Sequence, residues 1–270
     1  DGLNTFYGIY AGSWNNNATS NQSTKISIFN NAIYNIDVDN GLTYGIPLWN
    51  DDYNNSSNDT FLIYHNTISL NNAGNNPTTA GIFFNDAYIN NVNDNPIYLK
   101  NNLVTISGGG TSTTANRYGI LINDFNNINS PIEGQRNNVY LSPSTTGNQY
   151  FARRNSVNYP TLANYQAAWP TQELGSLAVN PQYVSEATGD LTPNNMALVG
   201  NGVNLLSVVP VDINGKNRSS SPVPGAFEIG ADAGVTALLT PTGTFCSSVK
   251  AVSVSIKNLG TLTINNVQIG

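Results

Sequence analysis

The chain has 270 residues, of which 10% are charged and 39% hydrophobic, with a net charge of −6. The length suits one large or two ordinary domains, and with so few charges the surface must be kept wet by neutral polar groups, chiefly the 46 asparagines. The acidic balance without a basic patch excludes nucleic acid as an expected partner, no apolar run approaches the ~18 residues of a membrane span, and the single cysteine, Cys246, excludes an intrachain disulfide. The chain starts at Asp1 in the middle of a repeat. It therefore reads as a piece of a longer protein, with further domains or neighbouring subunits expected at both ends.

The first half is periodic. Tyr7-Gly8-Ile9, Tyr44-Gly45-Ile46, Ala80-Gly81-Ile82 and Tyr118-Gly119-Ile120 are four copies of one short strand, their glycines 37, 36 and 38 residues apart. A second marker keeps the same period: Phe29-Asn30-Asn31, Tyr64-His65-Asn66, Lys100-Asn101-Asn102 and Arg136-Asn137-Asn138. Between markers run short alternating strands rich in β-branched and aromatic residues, as in Gly81–Phe84, Ile97–Lys100 and Leu103–Ile106, which favours β over helix. Three strands per period, stacked about 4.8 Å apart, predict an all-β parallel β-helix with three strands per coil and long loops. A propeller blade of similar length needs four antiparallel strands.

Asparagine suits the sharp turns of such a coil because it tolerates the left-handed backbone region. Stacked side-chain amides also satisfy one another. Asn31, Asn66, Asn102 and Asn138 are accordingly predicted to form a structural ladder. Asn50-Asp51, Asn85-Asp86 and Asn123-Asp124 suggest a second one. Stacked carboxylates of Asp51, Asp86 and Asp124 would repel, and a hard cation such as Ca²⁺ would relieve them; as turn caps facing water they need none. The polar stretches that follow carry Trp49, Tyr53, Tyr88 and Phe125, candidate platforms for sugar rings, or rings that pin their own loops.

After residue 139 the repeat loosens. Thr161 to Trp169 reads as a short helix capped by Thr161 and stopped by Pro170. The irregular stretch 139–230 is expected to cover the open end of the coil stack. Residues 1–230 form the first predicted domain, 231–245 a linker, and 246–270 the start of a second, truncated domain. There Val252, Val254 and Ile256 alternate with polar residues before a turn at Asn258-Leu259-Gly260 into Leu262 and Ile264, a pattern of paired antiparallel strands.

Leu162…Tyr165-Gln166…Trp169, Asn180-Pro181-Gln182-Tyr183-Val184, the span from Asp212 through Gly215 to Arg218, and Gly225-Ala226-Phe227-Glu228 resemble the C-terminal part of right-handed parallel β-helix repeat proteins of the pectin-lyase-like superfamily. That type recurs in large secreted and cell-surface proteins, especially of Bacteroidetes-like bacteria. Asp212 and Arg218 are close enough to pair across a turn and lock the last coil, with Glu228 joining them. The tail from Cys246 resembles the opening of an immunoglobulin-like adhesion module of the CARDB type, here a partial Ig-like β-sandwich.

The resemblance raises the question of an enzyme, since relatives cleave acidic polysaccharides. The clustered acids with an Arg or Lys base of the lyases, and the spaced aspartates with His and Arg-x-Lys of the hydrolases, are missing from this sequence. His65, the only histidine, lies beside the asparagine ladder. The expectation is therefore a non-catalytic extracellular or bacterial cell-surface adhesin module that displays polar loops to a glycan or surface partner. A polysaccharide lyase or hydrolase, and a subunit of an extracellular filament, stand as alternatives.

Overall fold

The computed structural model describes residues 5–15, 24–36, 41–52, 59–71, 78–86, 96–107, 112–124, 132–144, 146–230, 233–240 and 251–258. The chain divides into two compact units, Asp1–Glu228 and Ile229–Gly270.

Each of the first four sequence repeats contributes to each of three sheets, in which successive repeats pair in parallel. The first repeat gives β1 (Thr5–Tyr7), β2 (Ala11–Asn15), β3 (Lys25–Phe29) and β4 (Ala32–Ile33). The second gives β5 (Leu42–Asp52), β6 (Thr60–Tyr64) and β7 (Thr67–Asn71), the third β8 (Thr78–Asp86), β9 (Ile97–Lys100) and β10 (Leu103–Ser107). The fourth gives β11 (Asn116–Asp124), β12 (Ile132–Gln135) and β13 (Asn138–Leu141), and β14 (Asn148–Arg154) and β15 (Val157–Tyr159) follow. In the first sheet β1 and β2 both lie on β5, then come β8, β11 and β14, and antiparallel β15 closes the edge. The second sheet runs β3-β6-β9-β12 and the third β4-β7-β10-β13.

Register brings like onto like. Ile46, Ile82 and Ile120 stack in the first sheet, Ile63 and Leu99 in the second, and Ile33, Ile68, Val104 and Val139 in the third. These rows meet in one buried interior, where each enclosed aliphatic side chain contributes about 1.5–3 kcal/mol. Among the described residues no helix is long and apolar enough to cross a membrane.

The repeated glycine serves close packing between successive repeats. A Cβ on Gly119 would lie 2.1 Å from Val139 Cγ1 and 2.8 Å from the Phe151 carbonyl oxygen, and the equivalent carbonyl of the next repeat crowds Gly45 and Gly81 in the same way. Gly119→Ala is expected to destabilise by about 1–3 kcal/mol, as overpacking does, in a urea titration that leaves the far-ultraviolet circular dichroism unchanged.

The wall continues past residue 139, where an irregular stretch was expected. β14 pairs in register with β11, and isolated parallel bridges join Leu174 to Gln135 and Leu177 to Asn138. This fifth repeat lacks both markers. Phe151 stands where earlier copies have glycine, and Gly175-Ser176 where they have Asn-Asn or its variants. Between its strands sits α1 (Leu162–Ala168), with Thr161 accepting from the Asn164 N–H as N-cap and Trp169 as C-cap. The helix lays buried Tyr165 beside Phe151, ring centroids 6.0 Å apart, and the Arg154 guanidinium sits 3.8 Å above the Trp169 ring. This helix, in place of the whole stretch to 230, closes the C-terminal end of the interior.

The remainder, residues 178–228, runs back along the wall. Leu205 and Val209 pack on Leu62, Tyr64 and Tyr98 of the second sheet, while Leu191, Ala226 and Phe227 group with Ala32 and Tyr183. Tyr183 bonds Thr105, and the Glu186 carboxylate takes the Ser69 and Ser107 hydroxyls on the third sheet. This strap covers outer faces of the second and third sheets.

In the second unit β16 (Ala233–Thr240) pairs antiparallel with β17 (Ser253–Asn258). The expected linker 231–245 therefore contains a strand, and the partner of the Val254/Ile256 strand lies upstream of it. Leu262 and Ile264 lie outside the described residues.

Candidate functional site

The asparagine ladder threads the wall at the turn between the second and third sheets. Asn66 Oδ1 accepts from Asn31 N and Nδ2 at 3.2 and 2.9 Å, and Asn102 Oδ1 accepts from Asn66 N and Nδ2 at 3.1 and 3.0 Å. The next acceptor is Asn137 Oδ1, bonded by Asn102 N and Nδ2 at 2.8 and 3.1 Å. Asn137 therefore takes the place expected for Asn138. The cause is a one-residue shift of the Asn pair. In the first and third repeats the pair fills the left-handed turn and the ladder, whereas in the fourth Arg136 takes the turn (φ 55°) and the pair starts at the ladder. Asn138 instead exchanges two bonds with the backbone of Val179, Nδ2 donating at 2.9 Å and Oδ1 accepting at 3.0 Å, and so fixes the start of the strap.

Asn30, His65, Asn101 and Arg136 all hold positive φ, as Gly175 does in the fifth repeat. Their side chains form a row that grips the strap. Arg136 donates to Asn201 Oδ1, Asn101 exchanges two 2.8 Å bonds with the Val203 backbone, and Asn30 Nδ2 donates to Val211 O at 2.7 Å. His65 is fully buried, with Nε2 2.9 Å from Asn101 Nδ2 and Nδ1 3.2 Å from Gly225 O. Asn101 being the donor, the ring proton is assigned to Nδ1. Burial first, then the Arg218 charge, push the imidazole down to about 3.

Arg218 closes the strap over the first repeat. Its guanidinium donates to Glu228 Oε1 at 2.8 Å, to Asn30 Oδ1 at 2.7 Å and to the carbonyls of Gly225 and Ala226. The direct Asp212–Arg218 pair expected from the sequence does not form; the Asp212 carboxylate instead orders the turn by accepting from Asn214 N, Lys216 N and Glu228 N at 2.8–3.0 Å. Burial raises the Glu228 carboxyl and lowers Arg218, each against the attraction of the other.

Glu173 ends the ladder. Its carboxylate lies over Gly134, where a Cβ would meet Oε1 at 2.0 Å. It accepts from Asn137 Nδ2 at 3.0 Å and from Ser176 Oγ at 2.6 Å, and Ser176 Oγ in turn accepts from Asn137 N. Burial pushes the carboxyl up to about 7, against those bonds. A carboxyl raised in the fold contributes stability that is whole below its unfolded value near 4.5 and lost as pH rises through about 7. His65 runs the other way. Its contribution is whole above 6.5 and lost as pH falls towards 3. Between about pH 8 and 5.5, hydrogen exchange corrected for its intrinsic rate is expected to show residues 162–177 gaining protection while 201–228 lose it. Glu173→Gln should remove the first trend and His65→Asn the second.

The outer face of the first sheet carries an aromatic row. Tyr7 stacks on Tyr44 at 6.0 Å, Tyr44 on Phe83 at 4.5 Å and Tyr118 on Tyr150 at 5.4 Å. Trp49, read as a loop residue, lies in β5 with its ring edge-on to Phe83 at 5.8 Å; its buried indole N–H has no acceptor among the described residues. Burial pushes the Tyr44 hydroxyl up to about 12. Tyr53, Tyr88 and Phe125 lie outside the described residues.

The strand register brings only two of the three expected aspartates into line. β5, β8 and β11 align Asn50 with Asp86 and Asp124, and Trp49 with Asn85 and Asn123, so Asp51 stands one residue off the row. Asn50 and Asn85 are 35 residues apart, one short of the 36 that this strand pair keeps. Among the described residues no group of three or more His, Cys, Asp and Glu side chains is placed to hold a metal ion. Comparison of the chain with protein-family models, with curated proteins and with solved structures gives no match.

Proposed function

We propose that the chain is a right-handed parallel β-helix of the pectin-lyase-like type, followed by the start of a CARDB-like Ig-fold module. Its role in this reading is that of a non-catalytic, extracellular surface or adhesin module which holds polar loops out to a glycan. The three in-register parallel sheets and their shared amide ladder support the fold. One observation carries the functional reading: six buried ionisable groups of the described wall and strap, Asp59, His65, Arg117, Glu173, Arg218 and Glu228, are bonded to structural partners. Asp59 accepts from Thr24 N, Arg117 donates to Thr146 O, and His65, Glu173, Arg218 and Glu228 bind as described above. Binding chemistry then belongs to the segments that follow the first sheet, where Tyr53, Tyr88 and Phe125 lie, with Trp49 at their base. Glycan-array binding without depolymerisation of uronic-acid polymers is the expected result; cleavage of such a polymer would establish the lyase or hydrolase reading instead. Calorimetry with Ca²⁺ tests the Asp86–Asp124 pair, and heat abolished by Asp86→Ala would assign a cation there.

The filament reading draws on β16 and β17. Two strands alone are marginally stable in water, and Val235, Leu238 and Val252 are well exposed. Electron microscopy that shows isolated particles of fixed length removes that reading.

A further inference from the structure

Repeats two to four have a neighbouring rung on both sides; on the fifth, β15 takes the free edge of the first sheet and α1 packs on the interior. Among the described residues the first repeat is paired on one side only: β3 and β4 end their sheets, and β1 and β2 pair with β5 alone. Phe6, Tyr7, Tyr10, Phe29 and Tyr34 are 38–48% exposed here, and a groove of about 470 Å³ opens among residues that include Ile9, Asn31 and Ile33.

The ladder shows what this end lacks. In each later repeat the Asn Oδ1 accepts two N–H groups from the Asn before it, and its Nδ2 donates to a carbonyl of the preceding repeat: Asn66 to Ile28 O, Asn102 to Ile63 O and Asn137 to Leu99 O, at 2.7–2.9 Å. Asn31 has no such neighbour among the described residues. Its Nδ2 turns back to Phe29 O of its own repeat at 3.0 Å, and no described group donates to its Oδ1.

We propose that this end is a docking surface for one further rung of the same repeat, an extended polypeptide that pairs in parallel with β1–β2, β3 and β4 and sets an asparagine over Asn31. The interface is the one already formed between successive rungs, with the same three edges, the same aromatic row ending at Tyr7, and the same two N–H groups required by the ladder oxygen. A second copy of the chain fits less well. At its C-terminal end β15 already occupies the edge of the first sheet and α1 covers the interior, and its own first rung, brought up by a two-fold axis, would meet β1 antiparallel.

The test adds a rung to the full chain by fusing a copy of residues 42–77 directly ahead of Thr5, whose partner in the register is Leu42. The expected result is a single unfolding transition at higher temperature, with amides of residues 25–33 exchanging at least about tenfold more slowly than in the parent. Asn66→Ala in the added copy should abolish most of that gain. The proposal is overturned if the added copy leaves residues 25–33 unprotected, or if the gain survives Asn66→Ala in the added copy. It is also overturned if the parent alone gains the same protection with rising concentration, which would assign the face to a second copy.

Discussion

Replacing Arg218 with alanine is expected to cost about 3–5 kcal/mol, the penalty for leaving one partner of a buried ion pair alone. The side chain is fully enclosed, and its loss strands Glu228, Asn30 Oδ1 and the carbonyls of Gly225 and Ala226 together. Because Asn30 belongs to the first repeat and Glu228 to the end of the strap, the damage should not stay local. Hydrogen exchange is expected to rise across 201–228 and at Asn30–Ile33, while repeats three and four keep their protection. Removing both charges, as Arg218→Met with Glu228→Leu, should recover much of the loss, since apolar groups of similar volume often replace a buried pair without cost. A loss below about 1 kcal/mol in Arg218→Ala, the range of an exposed pair, would contradict the locking role.

Asn102→Ala is expected to cost about as much by a different route. Asn102 accepts from the backbone and side chain of Asn66 and donates to Ile63 O and Asn137 Oδ1, all in the buried wall. Alanine leaves several of those groups unsatisfied at about 1–3 kcal/mol each, so a total near 3–6 kcal/mol is expected in chemical denaturation. Asn31→Ala supplies the contrast. Its side chain donates to Asn66 Oδ1 at the half-exposed end of the ladder, so water can replace it and the cost should stay near 1 kcal/mol. Equal losses at the two positions would mean that the ladder is not cooperative along the wall.

The parallel repeat was legible because two markers, a glycine and an asparagine, are fixed by packing against the neighbouring rung. Gly119 has no room for a Cβ, and Asn102 must both donate and accept. Where packing relaxes, the markers vanish. The fifth rung carries Phe151 and Ser176 at those places, with a helix inserted between its strands, so its period could not be read. The Asn-Asn dipeptide also hid its own register, since turn, ladder and first strand position all accept asparagine. For that reason Asn138 stood in for Asn137. Asp212, Arg218 and Glu228 were found as a group from their motif, but the Arg218–Asn30 bond spans 188 residues, and no local pattern announces a strap that returns to the first repeat. Glu173 gave a weaker signal. A lone carboxylate between Gln172 and Leu174 implies either exposure or a buried partner, and sequence alone cannot choose between them.

In the proposed reading the wall and strap are the support, and binding resides in the segments that follow the first sheet in sequence. The most direct measurement is the glycan-array profile of the chain beside that of a variant in which segments 53–58, 87–95 and 125–131 are replaced by short Gly-Ser linkers. The variant is expected to keep the melting temperature of the parent wall and to lose the glycan signals that the parent gives. A variant that keeps those signals, or a chain that gives none, would contradict that reading.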